Sequence, residues 1–212
     1  MNTYDEIAES WYRLRHWTRF KMELEGMARR WRGGSLLNIG CAHGPDFLPF
    51  TDKFDLWGLD SSENMINMAL KYSAKYKFHT GLIVGDAASL PFKDGAFDWA
   101  ISVAAYHHIS DKGERKAAFA ELRRVIKPKG EVFITVWNRW QKAFWNKGRQ
   151  AIVPWKTKDG EIPRYYYLYT YPEIEQQVRS AGFKVLKTFP EKAYRLPFKF
   201  FSRNICVLAG AD

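Results

Sequence analysis

The sequence predicts an α/β fold built on a parallel sheet, and three stretches carry that expectation. Leu36-Leu37-Asn38-Ile39 is a short apolar run entering a glycine turn, Gly40-Cys41-Ala42-His43-Gly44. A second run, Phe54 to Leu59, ends in Asp60, and a third, Leu82 to Val84, ends in Gly85-Asp86-Ala87. Apolar runs of this kind, separated by helical stretches, assemble into sheets that take ligands at their carboxyl ends. Gly40 and Gly44 lack the Cβ that would keep backbone N–H groups away from a ligand, although Gly-x-Ala-x-Gly alone also suits an ordinary tight turn. Asp60 stands where a ribose-binding carboxylate belongs, which makes the unit a nucleoside-binding half-fold. The second acid, Asp86, suits one adenosine better than a pyrophosphate. Carboxylates repel phosphate but accept hydrogen bonds from ribose hydroxyls or an amine.

Taken in order, residues 2–32 form a lead-in with Tyr4, Ile7, Ala8, Trp11 and Tyr12 near helical spacing and arginines between them. A helical segment that covers the site, or packs on the sheet, is expected there. The residues after the glycine turn, up to Pro49, are expected to begin a helix. Ser61 or Ser62 can cap a helix over Glu63–Lys75, whose apolar face is Met65, Met68 and Ala69. Trp99 to Val103 reads as a buried strand that delivers Tyr106, His107 and His108 to the carboxyl edge. Adjacent histidines on a loop point apart and no acid-rich third ligand accompanies them, so no metal site is expected. Ala117–Ile126 reads as an amphipathic helix ended by Pro128 and Gly130, and Glu131–Trp137 as the next strand.

Asn138 to Pro163 is aromatic and basic without clear periodicity, and reads as a long loop that binds something. Its aromatics offer stacking faces to bases and its cations grip phosphates. Tyr171-Pro172-Glu173 opens a helix to Ala181-Gly182, and strands at Phe183–Thr188 and Asn204–Ala209 close the chain consecutively.

At 212 residues with 46% hydrophobic content, the chain is expected to be one globular domain over residues 1–212, with 1–32 as the lead-in and 138–170 as an aromatic and basic insertion. No apolar run reaches the ~18 residues of a membrane helix, and Met1 to Arg19 has no signal-peptide core, so a cytoplasmic protein without membrane association is expected. Cys41 and Cys206 are isolated and read as reduced packing residues. A net charge of +10 with nine Trp, eleven Tyr and fifteen Phe fits a nucleic-acid partner about as well as a basic protein whose aromatics are all core.

In its ordered motifs the chain resembles the class I S-adenosylmethionine-dependent methyltransferases. These are Asn38 to Gly44, Asp60, Gly85-Asp86-Ala87, Leu90-Pro91-Phe92, Phe97-Asp98, His107-His108-Ile109 and Leu122 to Gly130. The resemblance implies a Rossmann-like seven-stranded sheet with the last strand antiparallel. It also implies S-adenosylmethionine as cofactor, bound by Asn38, Gly40, Cys41, Ala42, Gly44, Asp60, Ser61, Met65, Asp86, Ala87 and Val103. Two departures stand out: the family usually has an acid at Asn38 and a glycine at Ala42.

Val153-Pro154-Trp155, Arg164-Tyr165-Tyr166, Asn204, Tyr4 to Ala8 and Arg15 further resemble the tRNA wobble-uridine carboxymethyl methyltransferases, although Tyr167 and Ile205 replace a usual His and Trp. That resemblance implies methyl ester formation on a carboxymethyl group, with Arg15, His108, Arg164 and Tyr165 holding the acceptor. It implies two partners: the tRNA anticodon loop and a small zinc-binding activator protein in a heterodimer. Two other functions share the same motifs. One is methylation of a small apolar molecule, which would need a closed aromatic pocket over Trp140 to Trp155. The other is RNA binding without catalysis.

Overall fold

The computed structural model describes residues 2–158 and 160–212; Met1 of the lead-in and Asp159 of the insertion lie outside the described residues. The lead-in forms two helices, α1 (Thr3–Leu14) and α2 (Lys21–Trp31). Asn2 caps α1, its side chain accepting from the Tyr4 N–H while Asp5 accepts from the Asn2 N–H. The strands β1 (Gly34–Ile39), β2 (Phe54–Asp60), β3 (Gly81–Val84), β4 (Phe97–Val103) and β5 (Ile126–Trp137) are mutually parallel. Helix α3 (Glu63–Tyr76) joins β2 to β3, and α4 (Lys112–Val125) joins β4 to β5.

After β5 comes a separate antiparallel hairpin, β6 (Gln150–Lys156) and β7 (Glu161–Tyr167). Then follow α5 (Tyr171–Ser180), β8 (Phe183–Pro190) and β9 (Asn204–Ala211). The seven-stranded sheet runs β3-β2-β1-β4-β5-β9-β8. Its last strand, β9, is antiparallel to both neighbours.

Period-2 alternation divides the core into two layers. Leu37, Val132, Ile134, Val207 and Ala209 face the side covered by Phe119, Leu122, Ile174 and Val178 of α4 and α5. Leu36, Phe133, Cys206 and Leu208 face the side covered by Leu24 and Trp31 of α2, Phe47, Phe50 and Tyr72.

Three expectations need correction. The segment after the glycine turn makes only a 3-10 helix, Pro45–Phe50, with Pro49 inside it; proline has no N–H for a helix interior. Helix α4 begins at Lys112 rather than Ala117, because Asp111 caps it by accepting from the Glu114 N–H at 2.9 Å. The stretch read as a loop contains the β6–β7 hairpin, in which Pro154 sits opposite Pro163. A two-stranded ribbon tolerates prolines that a sheet interior would not.

Helix α1 lies over the carboxyl edge of the sheet. The Asp5 carboxylate accepts from the Ser62 hydroxyl at 2.5 Å and the Asn64 N–H at 3.2 Å. The Trp155 indole N–H donates to Ser10 at 2.8 Å. No helix among the described residues is long and apolar enough to cross a membrane.

Candidate active site

A cavity of about 480 Å³ opens between α1, the carboxyl ends of β1, β2 and β4, and the hairpin. Its floor is the glycine turn. Gly40 has φ +71°, and a Cβ there would lie 2.3 Å from the Ala105 Cβ, so the position requires glycine. Ala42 also holds a left-handed backbone, φ +48°. An L side chain pays for this with roughly 1–2 kcal/mol of strain.

Asp60 fixes the turn from the end of β2. One carboxylate oxygen accepts from the Ala42 N–H at 2.9 Å and the other from the Ser62 N–H at 3.0 Å. Burial pushes the Asp60 carboxyl up to about 6, against the downward pull of these N–H groups. Each oxygen keeps acceptor capacity for a ligand hydroxyl. Asp86 lines the same end of the cavity, as do Ser61, Met65, Ala87 and Val103. Two acids and a bare glycine turn are what an adenosine requires, so the residues present fit S-adenosylmethionine.

The other end of the cavity is cationic. Arg15, Arg19, Arg164 and Arg203 all line it, and no ion pair among the described residues joins any of them to a carboxylate. Burial and the neighbouring arginines lower the Arg15 pKa from its ordinary value. Arg203 is lowered too, by burial and by Arg19; the nearby Glu191 accepts instead from the backbone N–H groups of Arg203 and Asn204, at 3.2 and 2.8 Å.

Arg164 is 6% exposed. Its guanidinium sits 5.0 Å from the Trp155 ring centre, 5.5 Å from Trp11 and 5.4 Å from Tyr166. Arg15 stacks on the outer side, 4.4 Å from Trp11. Arg164 Nε has no hydrogen-bond partner among the described residues, while the guanidinium lies against the Tyr4 and Tyr166 hydroxyls.

His108 is oriented by its Nδ1–H, which donates to the Tyr165 carbonyl at 2.9 Å. Burial pushes its pKa down to about 4, so the ring is neutral at pH 7 and Nε2 carries a lone pair. His107 accepts the Trp137 N–H at Nδ1, 3.2 Å. Its Nε2 is buried without a partner among the described residues, and burial lowers its pKa well below the ordinary value.

Of the residues expected at the site, Arg15, His108, Arg164, Gly40, Ala42, Asp60, Ser61, Met65, Asp86, Ala87 and Val103 line this one cavity. Asn38, Cys41 and Gly44 lie outside its lining. Asn38 is fully buried on β1 beside Gly58 and Ile101, with both side-chain polar atoms unpartnered among the described residues. Cys41 is buried in the core, and Gly44 precedes the 3-10 helix with φ +92°.

Tyr165 also lies outside the lining. Strand alternation puts Arg164 and Tyr166 on the cavity side and leaves Tyr165 to act through its carbonyl. Tyr167 turns toward α5, its hydroxyl donating to Glu173 and its ring 4.0 Å from the Arg115 guanidinium. Ile205 is core. Sequence reasoning missed Trp11, Tyr166, Arg19 and Arg203 as lining residues. Period 2 counted from Arg164 would have found Tyr166.

Comparison with known proteins gives the family. Residues 36–130 match the family described as "Methyltransferase domain". A protein of Encephalitozoon cuniculi (strain GB-M1) bearing the name methyltransferase is 30% identical over 198 residues, 86% of this chain and 86% of that protein. The tRNA (carboxymethyluridine(34)-5-O)-methyltransferase of Arabidopsis thaliana is 30% identical over 190 residues, which is 89% of this chain but 43% of that relative's length. The crystal structure of an S-adenosylmethionine-dependent methyltransferase from Clostridium acetobutylicum ATCC 824 has the same fold, with a TM-score of 0.74 at 15% identity over 99% of each chain. The chain belongs to the class I S-adenosylmethionine-dependent methyltransferases, and S-adenosylmethionine is its cofactor. Among them it is similar to the tRNA carboxymethyluridine methyltransferases.

Proposed function

We propose that the chain methylates the carboxylate of 5-carboxymethyluridine at the tRNA wobble position, forming the methyl ester. Arg164 carries this reading. A guanidinium that is buried, walled by aromatic rings and without a carboxylate partner among the described residues is costly unless an anion is supplied, and an acceptor carboxylate is such an anion. The relative named for carboxymethyluridine methylation supports the same acceptor.

When bound, S-adenosylmethionine supplies an electrophilic methyl group. A carboxylate is already ionised at neutral pH, so no residue need remove a proton, which suits a site whose histidines are held neutral. The chain's part is positional. Asp60 and Asp86 hold the nucleoside of the cofactor, Arg164 and Arg15 hold the acceptor carboxylate, and Tyr4, Trp11 and Trp155 exclude water. A small apolar acceptor would instead call for a closed aromatic pocket over Trp140 to Trp155, whereas Trp140 and Trp145 are exposed.

The proposal includes the anticodon loop and the zinc-binding activator as partners. Support for the activator is the resemblance; the edge strand β3 leaves Val84 exposed, a residue that a partner could cover. The test is transfer of labelled methyl to tRNA with and without that activator. Base-released label is expected, and label that resists base would point to another tRNA methylation.

A further inference from the structure

Three segments far apart in sequence meet outside the arginine end of the cavity. Residues 13–22, 139–149 and 192–203 each contain four Lys or Arg, and none contains Asp or Glu. Hydrogen bonds and ring contacts join them into one surface. Asn138 and Gln141 donate to the carbonyls of Phe200 and Arg203, at 2.7 and 3.2 Å, and Trp145 packs on Phe201 with ring centres 5.8 Å apart. The Lys192 ammonium donates to the Met22 carbonyl at 3.1 Å.

This rim exposes large aromatics: Trp17 is 62% exposed and Phe198 66%, with Trp140, Trp145 and Phe200 also at the surface. Lys142, Lys147, Arg195 and Lys199 are interleaved with them, without ion pairs among the described residues. Arg19 and Arg203 carry the positive charge from the rim into the cavity.

We propose that the rim docks the unpaired RNA nucleotides flanking the target base, with bases stacked on Trp17 and Phe198 and phosphates held by Arg195, Lys199 and Lys142. This rests on the acceptor being an RNA nucleotide. Glu9, Glu25 and Glu173 pair with Arg13, Lys21 and Arg149 at the margins of the rim. Cations still outnumber acids on this surface, which complements a polyanion, and exposed ring faces serve unpaired bases rather than a duplex, whose bases are already stacked. An anionic membrane would also attract the cations. The continuity of the charge into a cavity lined by four arginines favours a chain of phosphates that enters it.

The test uses the full chain with Trp17→Ala, Phe198→Ala and Lys199→Glu, none of which lines the cavity. Each is titrated with an anticodon stem–loop RNA carrying plain uridine, over a range of salt. Unchanged S-adenosylmethionine affinity confirms folding. Each aromatic variant is expected to weaken RNA binding by roughly 5- to 100-fold with the salt slope kept, as loss of one stacked base requires. Lys199→Glu is expected to lower the log–log salt slope by at least about 0.7, one phosphate contact on a single strand. Wild-type RNA affinity in all three variants overturns the proposal. Binding to phosphatidylserine vesicles that falls with Phe198→Ala while RNA binding does not also overturns it, in favour of a membrane surface. Rim-dependent RNA binding without base-labile methylation of a carboxymethyluridine loop would sink the proposed reaction and leave the rim standing.

Discussion

Arg164→Met separates stability from function. The substitution keeps an unbranched stem against Trp11 and Trp155 and removes a guanidinium that is 6% exposed and has no carboxylate partner among the described residues. Replacing buried charge by apolar volume is often neutral or stabilising by about 1–4 kcal/mol. The lost cation–π contacts give back roughly 0.5–2 kcal/mol. The apo protein should therefore be unchanged or up to about 2 kcal/mol more stable, a rise in Tm of up to roughly 8 °C for a chain of this size. Methyl transfer should move the other way. Loss of a buried charged contact to substrate is worth about 2–5 kcal/mol, or roughly 30- to 5000-fold in kcat/KM. Arg164→Lys should fall between, because it keeps the charge and loses the planar fork. The assays are calorimetry of the apo protein, cofactor titration and single-turnover transfer. A Tm drop of more than about 6 °C with transfer intact would show that Arg164 is structural and refute the reasoning.

Other consequences follow from the same geometry. In the proposed role, Asp60 binds S-adenosylmethionine in its ionised form, and its pKa of about 6 lies above the ordinary carboxylate range, so affinity should fall about tenfold per pH unit below 6. The titration should persist in Asp46→Asn, because Asp46 is also raised to about 6 but does not line the cavity; flat affinity from pH 5 to 7 would contradict this. Gly40→Ala places a Cβ 2.3 Å from that of Ala105 at φ +71°, and overpacking plus backbone strain should cost about 2–5 kcal/mol in urea unfolding. A loss below about 1 kcal/mol would mean that the turn relaxes freely. Asp5→Ala removes the acceptor that joins α1 to Ser62 and Asn64, worth about 1–3 kcal/mol. Amide exchange in α1 and cofactor dissociation should both accelerate, and unchanged exchange would show that α1 is held by its apolar face alone.

The parallel strands, the glycine turn and Asp60 were legible because each is a local pattern: an apolar run, a bare turn and an acid at fixed spacing. The hairpin was not, since Pro154 and Pro163 break the strand pattern in each half, and only their pairing opposite one another in a two-stranded ribbon accommodates both. Trp11 reads as one more apolar residue on a helical stripe, yet in the structure it is a wall for two guanidinium groups. Arg15, Arg19, Arg164 and Arg203 come from opposite ends of the chain. No window of sequence contains their convergence; tertiary folding of α1, β7 and the segment before β9 creates it. The step from Tyr165 to Tyr166 is a one-residue strand-face error, the kind that period 2 makes and also corrects. Asn38 lies beneath the turn with both polar atoms buried and unpartnered among the described residues.

The central claim is that a carboxylate on RNA is the methyl acceptor. Its most direct test is incubation of the chain, with and without the small zinc-binding activator, with labelled S-adenosylmethionine and two anticodon stem–loops that differ only in carrying a 5-carboxymethyl or a 5-carbamoylmethyl group on the wobble uridine. Label is expected on the carboxylate loop, released by mild base as an ester is, and none on the neutral amide. Equal labelling of both loops, or base-stable label on either, would contradict it.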